Sequence, residues 1–119
     1  MSTVLVVEDE TLVRMVAMEL VEEAGFRAVE AADADEALDA LERTGPVDIL
    51  FTDVRMPGSM DGLKLANLVR LRWPSTKIIV ASGHGGPEEA EAAGADRFFR
   101  KPFAAQALID TLQEMGSPR

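Results

Sequence analysis

Cysteine is missing from all 119 residues, which excludes a disulfide scaffold and any thiolate metal site. Basic residues are few. Twelve Lys and Arg against 21 Asp and Glu leave a formal net charge of -9, so the chain has no basic patch to neutralise nucleic-acid phosphates by itself. An anionic membrane surface is disfavoured for the same reason. No apolar run approaches the ~20 residues of a membrane span, and no leader pattern opens the chain. The expectation is a cytoplasmic protein. Histidine occurs once, as His84, and a single imidazole among oxygen donors suits no magnesium site. What is present is an ordinary globular composition, 47% hydrophobic and 28% charged. The length accommodates one domain with a core and not two, so residues 1–119 are read as a single unit with 116–119 as a loose tail.

Within that composition, four short apolar runs end on polar groups. Thr3 to Val7 runs into Glu8-Asp9, and Val47 to Thr52 runs into Asp53. Ile78 to Ala81 leads to Ser82, and Arg97 to Arg100 leads to Lys101-Pro102. Continuous apolar runs of this length suit strands buried on both faces of a parallel sheet, and Arg27 to Ala31 reads as a further short strand. Helical periodicity fills the gaps. Leu12, Val16 and Leu20 form an i, i+4 row with Val13, Ala17, Val21 and Ala24 beside it, stopping at Gly25. Asp33 and Asp61 are placed to cap the next two helices, which end before Gly45-Pro46 and at Trp73-Pro74. A weak Ala- and Glu-rich helix follows Pro87, and a final one runs from about Ala104 to Met115. Strand and helix alternate five times. That order predicts an α/β fold, a doubly wound parallel sheet with right-handed crossovers and helices on both faces.

In open sheets of this kind the ligand crevice lies beyond the carboxyl ends of the strands. There Glu8, Asp9 and Asp53 would meet one hydroxyl, Ser82, and one ammonium, Lys101. Three close carboxylates repel one another and resist burial unless a cation joins them. A hard dication answers this, and magnesium, which takes a few carboxylates plus waters and phosphate oxygens, suits the set. One carboxylate can then act as nucleophile toward a phosphoryl group, with Lys101 and Ser82 facing the phosphoryl oxygens. Taken singly, each residue has a blander reading: Glu8-Asp9-Glu10 as solvated acid at a helix start, Ser82 as a turn residue, Lys101 as a surface lysine. Their combination favours the site.

The set Val7-Glu8-Asp9, Asp53-Val54-Arg55-Met56-Pro57-Gly58, Ala81-Ser82-Gly83 and Lys101-Pro102-Phe103, with Asp61-Gly62 after the central aspartate, resembles the receiver domain of two-component response regulators across essentially the whole chain. That resemblance implies the strand order 2-1-3-4-5 of the flavodoxin-like fold, which general accounts of doubly wound sheets illustrate with a member of this family. It implies that Asp53 is phosphorylated by a histidine kinase or histidine phosphotransfer protein. Asp9, Asp53 and the backbone carbonyl of Arg55 are then ligands of Mg2+, or of Mn2+ in its place, with Glu8 acting through water. Ser82 and Lys101 become the switch hydroxyl and the phosphate-contacting lysine, assisted by the Gly83 backbone N–H. Phe98 falls at the aromatic switch position, though an aromatic in a strand is also ordinary core. The resemblance also implies a cis Lys101–Pro102 bond. The implied output is an altered face for a downstream protein partner, with no turnover of external substrates. Ser82 to Lys101 is about one helical turn shorter than usual for the family, so the fourth helix is expected to be short, displaced or partly disordered. This keeps open a receiver-like interaction module that works without phosphorylation. An aspartate-nucleophile phosphatase would want a second acid at position 55, which is Arg, and FMN binding would want a phosphate cradle where Glu8-Asp9-Glu10 stands.

Overall fold

A computed structural model describes residues 2–56, 58 and 60–116. Five strands and five helices alternate: β1 (Thr3–Val7), α1 (Thr11–Glu23), β2 (Arg27–Ala31), α2 (Ala34–Thr44), β3 (Ile49–Asp53), α3 (Gly62–Arg72), β4 (Lys77–Ser82), α4 (Pro87–Ala92), β5 (Arg97–Arg100) and α5 (Ala105–Met115). The sheet is parallel throughout, as the strand and helix alternation predicts, and its order β2-β1-β3-β4-β5 is the one the resemblance implies. Two cores follow from the period of two along each strand. Val4, Val6, Phe51, Ile79 and Ala81 face α1 and α5. Leu5, Val7, Leu50, Ile78 and Val80 face α2 and α3. The strands are apolar on both faces because both faces are covered.

The helix starts have physical causes that the sequence displays. Asp33 accepts from the Glu36 N–H at 2.8 Å and Asp61 from the Lys64 N–H at 2.9 Å, each satisfying a donor that the first helical turn leaves orphaned. Helix α4 has six residues and buries one side chain, Ala90; its shortness matches the gap between Ser82 and Lys101. The Lys101–Pro102 peptide bond is cis. Phe99 and Phe103 pack edge to face with centroids 5.1 Å apart, and Phe103 meets Phe51 at 6.2 Å, so these rings belong to the α1–α5 core.

Gly116, the first residue of the stretch read as a tail, donates its N–H to Leu112 O at 2.9 Å, and a Cβ there would lie 2.7 Å from the Phe26 ring. The rest of that stretch, 117–119, lies outside the described residues, as do Met1, Pro57 and Ser59. On α1, Ala17, Val21 and Ala24 are buried, yet Leu12 is 76% and Val16 57% exposed, with Val13 and Met15 also exposed. The helix is apolar around more of its circumference than the sheet covers.

Candidate functional site

The register fixes where the polar residues fall. Val7 pairs with Thr52, Asp53 with Ala81, and Ser82 with Arg100, so β1, β3, β4 and β5 finish at one edge. Glu8-Asp9, Asp53, Ser82 and Lys101 stand there together. The Lys101 N–H extends the ladder by donating to Ser82 O at 3.0 Å, and the Glu8 N–H does so to Ala31 O at 3.1 Å. The continuous strands therefore deliver residues far apart in sequence to one place.

One carboxylate oxygen from each of Glu8, Asp9 and Asp53 lies within 4.8 Å of the other two. Between two of them sits Lys101, whose Nζ is 2.9 Å from Glu8 Oε1 and 3.3 Å from Asp53 Oδ2. Glu8 is buried and also accepts from the Glu10 N–H at 3.1 Å. Asp53 accepts from the Val54 N–H at 2.8 Å through Oδ1. Burial, then the contact with the Glu8 carboxyl and its charge, push the Asp9 carboxyl above its ordinary 3.8, while a backbone hydrogen bond and Lys101 pull it down. Burial works to lower the Lys101 ammonium, but the hydrogen bond to Glu8 and the charge of Asp53 outweigh it and hold the group above the ordinary 10.5. The donor set is all oxygen and carries excess negative charge, which fits a hard dication of magnesium type.

Glycine at position 62 permits this arrangement. A Cβ there would fall 1.8 Å from the Asp53 carbonyl oxygen, and the Gly62 N–H donates to Val54 O at 2.8 Å. The start of α3 is thereby pressed against the end of β3, a close approach open only to a residue without a side chain.

Ser82 is buried, with its Oγ turned to the β4–α4 loop: it donates to His84 O and accepts from the His84 N–H at 3.0 Å. A cavity of about 230 Å³ is lined by Val54, Arg55, His84, Glu89 and Phe98 among others. Phe98 is half-buried on the α4 side of the sheet, with the Arg100 guanidinium 5.6 Å from its ring centroid. Arg55 and Gly83 are exposed on the loops after β3 and β4. On the other side of Asp53, a groove of about 620 Å³ runs between α1 and the segment after β5, lined by Leu12, Val13, Val16, Leu20 and Phe103 and reaching Asp53 and Lys101. Sequence reasoning did not single out this groove, or Arg14, whose guanidinium reaches the Glu8 carbonyl. The exposed half of the α1 apolar pattern was the available signal for the groove.

The family model "Response regulator receiver domain" matches residues 4–113. The sensor kinase CckA of Brucella abortus is 40% identical over 118 residues, covering 96% of this chain and 12% of that protein. The nitrogen assimilation regulatory protein NtrX of Azorhizobium caulinodans is 36% identical over 110 residues, covering 89% and 24%. The chain thus spans between 12% and 24% of the length of these two relatives. Among solved structures, the receiver domain of NtrX from Brucella abortus superposes with a TM-score of 0.84 at 34% identity, covering 94% of this chain and 96% of that one. The response regulator TrrA of Thermotoga maritima, solved in complex with Mg2+–BeF, gives 0.86 at 28% identity, covering 98% and 100%.

Proposed function

The chain belongs to the receiver domain family of response regulators, and on that premise we propose that Asp53 accepts a phosphoryl group from a phosphohistidine carried by a histidine kinase or a histidine phosphotransfer protein. The observation that carries this is the clustering of Glu8, Asp9 and Asp53 within 4.8 Å around the Lys101 ammonium. A carboxylate oxygen of Asp53 forms the P–O bond as the P–N bond to imidazole breaks, and the released imidazole takes up a proton. Asp9, Asp53 and the Arg55 carbonyl would hold Mg2+ or Mn2+, with Glu8 reached through water. Such an ion supplies charge neutralisation at the phosphoryl oxygens. Lys101 is already 3.3 Å from Asp53, where it can meet the same oxygens, and the Gly83 N–H stands on the adjoining loop.

The response is read as electrostatic. Phosphorylation brings roughly -1.5 to -2 charges and three strong acceptors to Asp53. Ser82 Oγ then exchanges its bond to His84 O for one to the phosphoryl group, and Phe98 turns into the cavity that this movement enlarges. The altered α4–β5–α5 face addresses a downstream protein partner. The groove beside Asp53 gives the donor protein an apolar seat continuous with the phosphoacceptor. Transfer to and hydrolysis from Asp53 would be the chain's only chemistry, performed in the cytoplasm by a single receiver unit; among the described residues no helix is long and apolar enough to cross a membrane. The test is a comparison of amide NMR spectra with and without Mg2+ and beryllofluoride. Movements at Asp53, Ser82–Gly86 and Phe98–Lys101 are expected, and spectra that do not change would refute the reading.

A further inference from the structure

We propose that Arg14 is a positioning residue for the acidic cluster, tying the Glu8 carbonyl to Glu30 on β2 so that the Glu8–Asp9 backbone presents its carboxylates to a dication. The inference rests on the reading of Glu8, Asp9 and Asp53 as a metal site.

Residues 8–10 bridge the end of β1 and the start of α1, and they hold two of the three clustered acids. Glu10 makes no side-chain cap for the helix. The Glu8 carboxylate is held by Lys101 and the Glu10 N–H, but both are contacts to the group that has to serve the ion. The backbone has separate anchors. The Glu8 N–H is fixed to Ala31 O, and the Glu8 carbonyl accepts from the Arg14 Nη1 at 2.8 Å. Side chains on a helix lean toward its N-terminus, so a long residue one turn into α1 reaches back over this bridge. The same guanidinium donates through Nε to Glu30 Oε1 at 2.9 Å. Arg14's side chain is only 15% exposed, whereas Glu30's is 58% exposed. One planar fork therefore joins β2 to the carbonyl that precedes Asp9, a task matched to the fixed donor geometry of arginine.

Charge alone makes the opposite forecast. Arg14 is a cation near the cluster, so an arginine acting only through its field would oppose a dication, and its removal would tighten Mg2+ binding. A positioning role loosens it, since outer partners of metal ligands typically contribute about 10-fold or more in affinity. Glu30 lies opposite Val6 on β2 and outside the carboxylate cluster, and its side chain is linked to the site through the Arg14 guanidinium.

The experiment titrates Mg2+ into the wild-type chain, Arg14→Met, Glu30→Gln and the double variant, with amide spectra of the ion-free proteins and a thermal melt of each. Expected are an affinity about 10-fold weaker for Arg14→Met, a smaller loss for Glu30→Gln, and a double variant no weaker than Arg14→Met alone. The Glu8, Asp9 and Glu10 amides should shift in Glu30→Gln before any ion is added. That variant also decides the matter should Arg14→Met fail to fold. Unchanged or tighter binding in Arg14→Met, independent effects that multiply in the double variant, or unmoved amides in Glu30→Gln would each overturn the proposal. A wild-type chain that binds no Mg2+ would instead overturn the metal-site reading, and this inference with it.

Discussion

Lys101 and Glu8, 93 positions apart in sequence, form a partly buried ion pair of 2.9 Å at the carboxyl edge of the sheet, and Lys101 reaches Asp53 from the same place at 3.3 Å. The lysine acts as an internal cation. It offsets part of the repulsion among three acids that a dication would otherwise relieve.

Replacing Lys101 by Met should therefore destabilise the ion-free protein by about 1–2 kcal/mol, below the range for a fully buried pair because the lysine is partly exposed. Excess Mg2+ should shrink that difference. Urea unfolding with and without Mg2+ checks this, and an equal loss in both conditions would count against the role.

Asp9 sets a pH dependence. Its folded carboxyl titrates above 3.8, so the folded state takes the proton more readily than the unfolded chain. Its contribution to stability is present below 3.8 and lost as pH rises through the raised value. Mg2+ competes with that proton, so affinity should fall on acidification sooner than for an ordinary aspartate, and Asp9→Asn should flatten the profile. Lys101 follows the same sign in the alkaline range: its pairing is fully present below 10.5 and lost as pH climbs through the raised folded value. Mg2+ titrations and melts across pH measure both.

Gly62→Ala drives a Cβ onto the Asp53 carbonyl, 1.8 Å away. Backbone must move on both sides, so a loss of about 2–3 kcal/mol is expected, together with slower phosphoryl uptake at Asp53. Denaturant midpoints within error of wild type would show that the approach of α3 to β3 is looser than this.

Leu12→Gln with Val16→Gln should leave stability within about 0.5 kcal/mol, because both side chains are exposed. Labelling by a small phosphodonor should persist, while transfer from a phosphohistidine protein that labels the wild type should slow at least 10-fold. Equal losses with both donors would place the effect at Asp53 rather than in the groove.

Much of this was legible in the sequence because the signals are local. Asp33 and Asp61 announce helix starts through a short acceptor before an apolar row, and runs such as Ile78-Ile79-Val80-Ala81 announce strands covered on both faces. Parallel ladders then bring Asp9, Asp53, Ser82 and Lys101 to one edge with no further information. What was hidden depends on tertiary position. Periodicity gives α1 two apolar rows without saying which one the sheet covers, so the exposure of Leu12 and Val16 is set by how the helix docks. The link of Arg14 to Glu30 depends on how α1 lies over β2. The orientation of Ser82 toward His84 depends on the loop, and the seating of Gly116 depends on Phe26, 90 positions earlier.

Intact mass after incubation with a small phosphodonor and Mg2+ tests the central claim most directly. The wild-type chain should gain one phosphoryl group, about 80 Da, and Asp53→Asn should gain none while keeping its melting transition. An adduct retained in Asp53→Asn, or none in the wild type, would contradict the assignment of Asp53 as the phosphoacceptor.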